Sequence, residues 1–153
     1  YKRQPGKDYT VLIDYSHTPD SLENILKAVR GFCTGRVIAV FGCGGDRDPY
    51  KRPVMGKIAA ELSDLAIVTS DNPRTEDPYK ILRQILAGMQ DTETPYEVIE
   101  SRVSAIGRAM ELARKNDVIV LCGKGHETYQ EIGHEKHHLD EREVVASYLE
   151  AKA

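Results

Sequence analysis

Four short polar stretches carry most of the side chains with obvious chemistry. They are Asp14-Tyr15-Ser16-His17-Thr18-Pro19, Gly42-Cys43-Gly44-Gly45-Asp46-Arg47-Asp48, Asp71-Asn72-Pro73-Arg74 and Gly123-Lys124-Gly125-His126-Glu127. Arg47 and Arg74 are forked cations that can grip a carboxylate through two parallel N–H bonds, and Asp71 and Glu127 can accept from an ammonium. Asp71, Asn72 and Arg74 thus offer an acceptor, an amide and a guanidinium on a loop stiffened by Pro73, which matches an amino-acid head group if the stretches meet in space. The alternative is that these charges only pair with one another across a solvated rim, where each pair contributes about 0–1 kcal/mol.

Other residues leave more than one use open. Asp14 closes an apolar run where a carboxylate can accept from a ribose hydroxyl, and His17 stands just before a helix start, where capping and ligand contact are both available. The glycines of residues 42–45 can take positive φ and bring N–H groups up to an anion, or simply make a tight turn. They do not form G-x-G-x-x-G and follow the second apolar run, which counts against an oxidoreductase of Rossmann type. No G-x-x-x-x-G-K-[ST] occurs, so this chain cannot cradle a triphosphate alone. His126 is placed to bond backbone carbonyls of the glycine-rich loop. His134, His137 and His138 lack a partner Cys or H-E-x-x-H spacing and read as a solvated loop, and Cys33, Cys43 and Cys122 read as buried, reduced thiols.

The polar stretches sit between elements that must position them. Residues 9–14, 36–41, 65–70, 96–99 and 117–122 are β-branched or apolar runs too short for helices, and each reads as a buried strand. Thr18-Pro19 and Asp77-Pro78 are helix starts, each an N-cap followed by a first-turn proline. Apolar residues recur at helical spacing from these starts, after Pro53 (Val54, Met55, Ile58, Ala59, Leu62) and over residues 101–115 (Val103, Ile106, Ala109, Met110, Ala113). Residues 128–139 read as a small hairpin or edge strand, and Asp140-x-x-Glu143 as a capping box opening a last helix. This alternation predicts a doubly wound α/β fold, with a mostly parallel sheet of about six strands flanked by helices on both faces. The polar stretches then share the rim at the carboxyl ends of the strands, where open α/β sheets bind ligands. Residues 1 to 8 read as a linker entering one domain over residues 9–153.

Bulk properties narrow the classes. Lys and Arg number 21 against 24 Asp and Glu, and no basic cluster with interleaved aromatics occurs, so nucleic acid is not an expected partner. No run of about 18 apolar residues exists to span a bilayer, and a cytoplasmic setting is expected.

At the four polar stretches, with Lys51-Arg52-Pro53 continuing the second, the sequence resembles the Mur ligase family, in the branch that adds meso-diaminopimelate. The likeness covers nearly the whole chain. It implies a Rossmann-like C-terminal domain of an ATP- and Mg2+-dependent acid–amino-acid ligase, one that activates the D-glutamate carboxylate of UDP-MurNAc-L-Ala-D-Glu as an acyl phosphate for attack by the incoming amine. Carried over by position, Arg47, Asp71, Asn72, Pro73, Arg74, Gly123 and Glu127 bind meso-diaminopimelate, with Arg74 at its distal carboxylate. Asp14 and His17 meet the nucleotide. Family members that add L-lysine differ at the position of Arg74, where lysine leaves a buried guanidinium unpaired. Ser16 stands where the family more often has alanine, and the arginine that precedes the first strand in the family is missing. The central domain that holds ATP and Mg2+ lies outside this chain, so no catalytic residue falls within it, and alone it is expected to be an inactive monomer. The alternatives are the same ligase adding L-lysine, or a free-standing nucleotide-binding α/β module.

Overall fold

A computed structural model of the chain describes residues 2–3 and 8–151. Five parallel strands, β2 (Thr10–Asp14), β3 (Val37–Phe41), β4 (Leu65–Val68), β5 (Tyr96–Val98) and β6 (Val118–Cys122), lie in the order β2-β6-β3-β4-β5. A two-residue strand β1 (Lys2–Arg3) pairs antiparallel with β2 at the edge and completes six. It falls in the stretch expected as a linker, of which residues 1 and 4–7 lie outside the described residues.

Strand periodicity explains the two cores. β3 and β6 are buried at every position, and their alternate side chains point to opposite faces. Val37, Ala39, Phe41, Val118 and Val120 pack with helices α1 (Pro19–Phe32), α2 (Lys51–Leu62) and α3 (Pro78–Ala87). Ile38, Val40, Ile119 and Leu121 pack with α4 (Arg102–Leu112) and α5 (Glu141–Ala151) on the other face. Helices cover both sides, as a doubly wound sheet requires. Val54 and Val103, expected on the inner stripes of α2 and α4, are exposed; Gly56 and Ala105 take the inward places.

The helix starts follow the local chemistry. Thr18 accepts from the Ser21 N–H and Ser21 returns the bond, so α1 opens on a reciprocal capping box with Pro19 in its first turn. Asp77 accepts from the Tyr79 N–H ahead of Pro78. The box expected at Asp140-x-x-Glu143 is only half made. Asp140 accepts from the Arg142 N–H at 3.0 Å, but Glu143 turns away to His138 at 2.7 Å.

β7 (Tyr129–Ile132) and β8 (Glu135–His138) form a separate antiparallel hairpin turning at Gly133, φ +62°. The hairpin is not a seventh strand of the main sheet. Its only described strand-type pairing to the rest of the molecule is a bridge from Ile132 to Arg74, and that attachment governs the site.

Candidate functional site

Because β2, β3, β4 and β6 run parallel, the four polar stretches emerge at one edge of the sheet. They enclose a cavity of about 450 Å3 lined by Arg47, Asp71, Asn72, Arg74, Gly123 and Glu127, with His17 and Tyr15 at one side and Cys43 and Met55 also lining it. A second opening of about 550 Å3 lies among Asp8, Phe32, Cys33 and Asn116. It is larger but holds one acid and no cation, so the rim cavity is the candidate site. Of the predicted residues, Asp14 and Pro73 do not line it. Asp14 accepts from the backbone N–H and the hydroxyl of Ser16, and buried Pro73 is pressed against Gly45.

The glycine-rich loop is built for close approach and not for positive φ, which correct the first of the two conformational readings: among the described residues only Gly123, Gly125 and Gly133 are glycines with positive φ. A Cβ on Gly42 would lie 2.2 Å from the Thr69 carbonyl oxygen, and one on Gly45 would lie 1.8 Å from that of Pro73. The Gly45 N–H is spent on the Asn72 carbonyl at 2.7 Å. The loop's glycines therefore let the Asp71–Arg74 loop lie against it, an observation that gives no support to an anion cradle.

Arg74 is held from two sides. Its Nε donates to Glu131 Oε2 at 2.8 Å and its Nη1 to the Gly45 carbonyl at 2.9 Å, while Nη2 makes none of the described hydrogen bonds. Its backbone, at φ +51°, is fixed by the Glu131 carbonyl and the Gly133 N–H. Arg74 is thus neither fully buried nor unpaired, its side chain being 21% exposed and bonded to Glu131. The unpaired-cation penalty expected for lysine does not operate, because a carboxylate of the protein already neutralises the guanidinium. Arg47 is exposed and donates only to its neighbour's carbonyl at 3.0 Å among the described bonds.

Beneath the cavity lies Lys124, 0% exposed, which the sequence placed in a motif without a role. Its Nζ donates to Asp71 Oδ1 at 3.1 Å, Asn72 Oδ1 at 2.8 Å and Glu127 Oε1 at 3.4 Å. The Glu127 carboxylate also raises the Tyr15 phenol above its usual range, ahead of the effect of burial. Gln130 steadies the same loop by donating to the Asp71 carbonyl at 2.7 Å. Three side chains that hold the site, Lys124, Gln130 and Glu131, were not among the predicted contacts.

His126 is exposed and makes none of the described hydrogen bonds to the glycine-rich loop. His17 Nδ1 faces the Tyr15 carbonyl at 2.9 Å, and the two rings sit 4.8 Å apart. The hairpin strand carrying His137 and His138 is exposed throughout. Cys43 and Cys122 are buried, with burial pushing both thiols up to about 12, whereas Cys33 is only partly buried. Among the described residues no group of three or more His, Cys, Asp or Glu side chains could hold a metal ion.

Behind the glycine loop, buried Arg52 binds Glu76 at 2.8 and 3.0 Å and the Gly44 carbonyl at 2.9 Å. Its guanidinium, helped by the Asp46 N–H and Lys80, holds the Glu76 carboxyl down at about 2 against an ordinary 4.5. A carboxyl depressed on folding stabilises fully above its unfolded value, and that stability fades as pH falls from 4.5 toward 2. Glu76→Gln is therefore expected to lower the melting temperature at pH 7, with the gap from the parent closing over that acid range; a gap independent of pH rejects the linkage.

The profile described as "Mur ligase, glutamate ligase domain" matches residues 1–125. The chain belongs to the Mur ligase family. Among curated relatives, this Mur ligase chain is 63% identical over 145 residues to the UDP-N-acetylmuramoyl-L-alanyl-D-glutamate–2,6-diaminopimelate ligase of Trichormus variabilis, covering 95% of the chain and 29% of that protein. The ligase of the same name from Clostridioides difficile is 54% identical over 143 residues, covering 94% and 30%. A solved structure of such a ligase superposes with a TM-score of 0.91 at 39% identity over 97% of the chain and 32% of its own. A folylpolyglutamate synthase/dihydrofolate synthase from Yersinia pestis, solved with AMPPNP and Mn ion, has a TM-score of 0.59 at 20% identity over 80% of the chain and 26% of its own, and shares the fold alone. The Mur ligase chain thus spans less than a third of the relatives it matches.

Proposed function

We propose that this domain selects and holds meso-2,6-diaminopimelate while an ATP-dependent ligase joins it to the D-glutamyl carboxylate of UDP-MurNAc-L-Ala-D-Glu in peptidoglycan synthesis. The reading is carried by one observation: a single cavity sets the guanidinium groups of Arg47 and Arg74, with Arg52 already bound to Glu76, beside Asp71 and Glu127, which share a buried ammonium. Diaminopimelate bears an amino-acid group at each end. Asp71 and Glu127 accept from an ammonium, Arg47 and the uncommitted Nη2 of Arg74 take carboxylates, and Asn72 and Gly123 shape the wall between them. Pro73 acts from behind by stiffening the loop. L-lysine ends in an ammonium, which cannot accept from Arg47 or from the uncommitted Nη2 of Arg74, so discrimination rests on missing hydrogen-bonded pairs and on like charge at Arg47.

ATP, with Mg2+, supplies the activation of the D-glutamyl carboxylate as an acyl phosphate for the amine to attack. We assign the phosphates to another part of the full-length protein, because this chain has no phosphate loop, and Mg2+ goes with the phosphates it accompanies. His17, at the side of the cavity, fits a nucleotide contact, and Asp14 fits one only through the carboxylate oxygen that Ser16 leaves free. Residues 1 to 8 connect this domain, residues 9–153, to the nucleotide-holding one. The enzyme works as a monomer in the cytoplasm; no described helix is long and apolar enough to cross a membrane.

The test is turnover by the full-length protein supplied with UDP-MurNAc-L-Ala-D-Glu and ATP. We expect kcat/KM for meso-diaminopimelate to exceed that for L-lysine by at least about 100-fold. Equal use of L-lysine defeats the substrate assignment, and thermal protection of the chain by ATP but not by the amino acid favours a nucleotide-binding module instead.

A further inference from the structure

Lys124 is 0% exposed in a loop that faces a polar cavity, a costly place for an ammonium unless every N–H is matched. It is matched. The three protons meet Asp71 Oδ1, Asn72 Oδ1 and Glu127 Oε1, one acceptor from each of three residues that line the cavity. An ammonium has three donors and no more, so Lys124 has nothing left to offer a ligand. It touches the site's walls and not its contents.

The backbone is shaped to bring the side chain inward. Gly123 at φ +120° and Gly125 at φ +54° flank it, and a Cβ on Gly125 would sit 2.9 Å from that of Tyr15. The Glu127 N–H returns to the Lys124 carbonyl at 2.9 Å, so the turn that buries the lysine also sets the position of Glu127. Asn72 Oδ1 accepts from both Lys124 and the Glu131 N–H, which ties the ammonium to the hairpin that grips Arg74.

Charge gives the arrangement its meaning. Asp71 and Glu127 are two carboxylates on one cavity wall, and Lys124 bonds both, so these three groups together keep one negative charge, in a cavity that Asp48, Lys51, Arg47, Arg52 and Arg74 also line. Resting on the amino-acid-binding reading above, we propose that Lys124 is a positioning residue that aims Asp71, Asn72 and Glu127 at the substrate and sets their joint charge.

The test uses full-length enzyme with Lys124→Met and Lys124→Gln, the second keeping two N–H donors without charge. We expect Lys124→Met to raise KM for diaminopimelate about thirtyfold through misplacement of its acceptors, with KM for ATP unchanged and kcat altered less than about threefold. A second readout separates this from loose folding. Lys124→Gln can still donate to two of the three acceptors, so it should recover part of the KM loss of Lys124→Met, whereas a packing defect would move kcat, KM for ATP and stability together. Unchanged KM, or a loss of kcat and stability with no selective rise in KM for diaminopimelate, overturns the proposal. If Lys124→Met does not fold, Lys124→Gln is judged by the same criteria, and failure of both to fold makes the lysine a stability element only. Parent enzyme that prefers L-lysine overturns the substrate reading alone, and the variants are then scored with that amino acid.

Discussion

Arg74→Ala in the full-length enzyme is expected to lower kcat/KM for meso-diaminopimelate by about 100-fold while leaving turnover of L-lysine unchanged. Truncating one partner of a buried, hydrogen-bonded charge pair costs roughly 2–5 kcal/mol, the partly exposed Arg74 belongs at the lower end of that range, and about 1.4 kcal/mol is a factor of ten. The asymmetry between the two amino acids is the informative part. Lysine brings no second carboxylate for the guanidinium to hold, so it loses no bond when Arg74 goes. The truncation also removes the bonds to Glu131 and Gly45, so part of the loss will be loosened loop. Arg74→Lys separates the two effects: it keeps the charge, loses the fork, and should recover less than a tenth of the activity, because one ammonium cannot bind Glu131, Gly45 and a substrate carboxylate in that geometry. Steady-state kinetics with both amino acids decide it. An equal fall for both assigns Arg74 to structure.

Arg102→Met is expected to destabilise the domain by about 3–5 kcal/mol, the usual result of stripping one partner from a buried ion pair. Arg102 and Glu141 are both 0% exposed and joined at 2.9 Å, and the remaining nitrogens donate to the Ser70 carbonyl at 3.1 Å and the Cys122 carbonyl at 2.8 Å. Methionine fills the volume but abandons two strand-end carbonyls and leaves Glu141, whose Oε1 already lacks a partner, as a bare buried charge. For a chain of this size the melting temperature should drop by roughly 8–15 °C. The double variant Arg102→Met, Glu141→Leu should recover most of that loss, since an apolar pair of similar shape is often as stable as the ions. Additive losses in the double variant refute this account.

Much of the architecture was legible because it is local. Apolar runs at 37–41 and 118–122 have strand length and nothing else, and Thr18-Pro19 and Asp77-Pro78 announce helices through bonds made within three residues. The rim followed from the parallel sheet alone. What stayed hidden depends on which distant backbone lies alongside which. Gly45 looks like an anion-binding glycine until Pro73 is seen at van der Waals limits against it. Lys124 carries no role in the sequence, because two of its three acceptors come from residues more than 50 positions away. Glu131 gave no signal, because a glutamate on a small hairpin resembles any surface acid and only the contacts between β7 and the Asp71–Arg74 loop bring it into the site. Val54 and Val103 misled because helical periodicity fixes which residues share a face but not which way that face turns.

The hairpin has a consequence for how such a domain can change. The side chain read as choosing the amino acid is gripped by β7 and its turn, and neither hydrophobic core includes a residue of the hairpin. Substitutions in β7 and β8 can shift the tilt or charge of Arg74 while both cores keep their packing. If Arg74 chooses the amino acid as proposed, preference and core packing are lodged in separate pieces of the chain, and drift in one need not be matched by repair in the other.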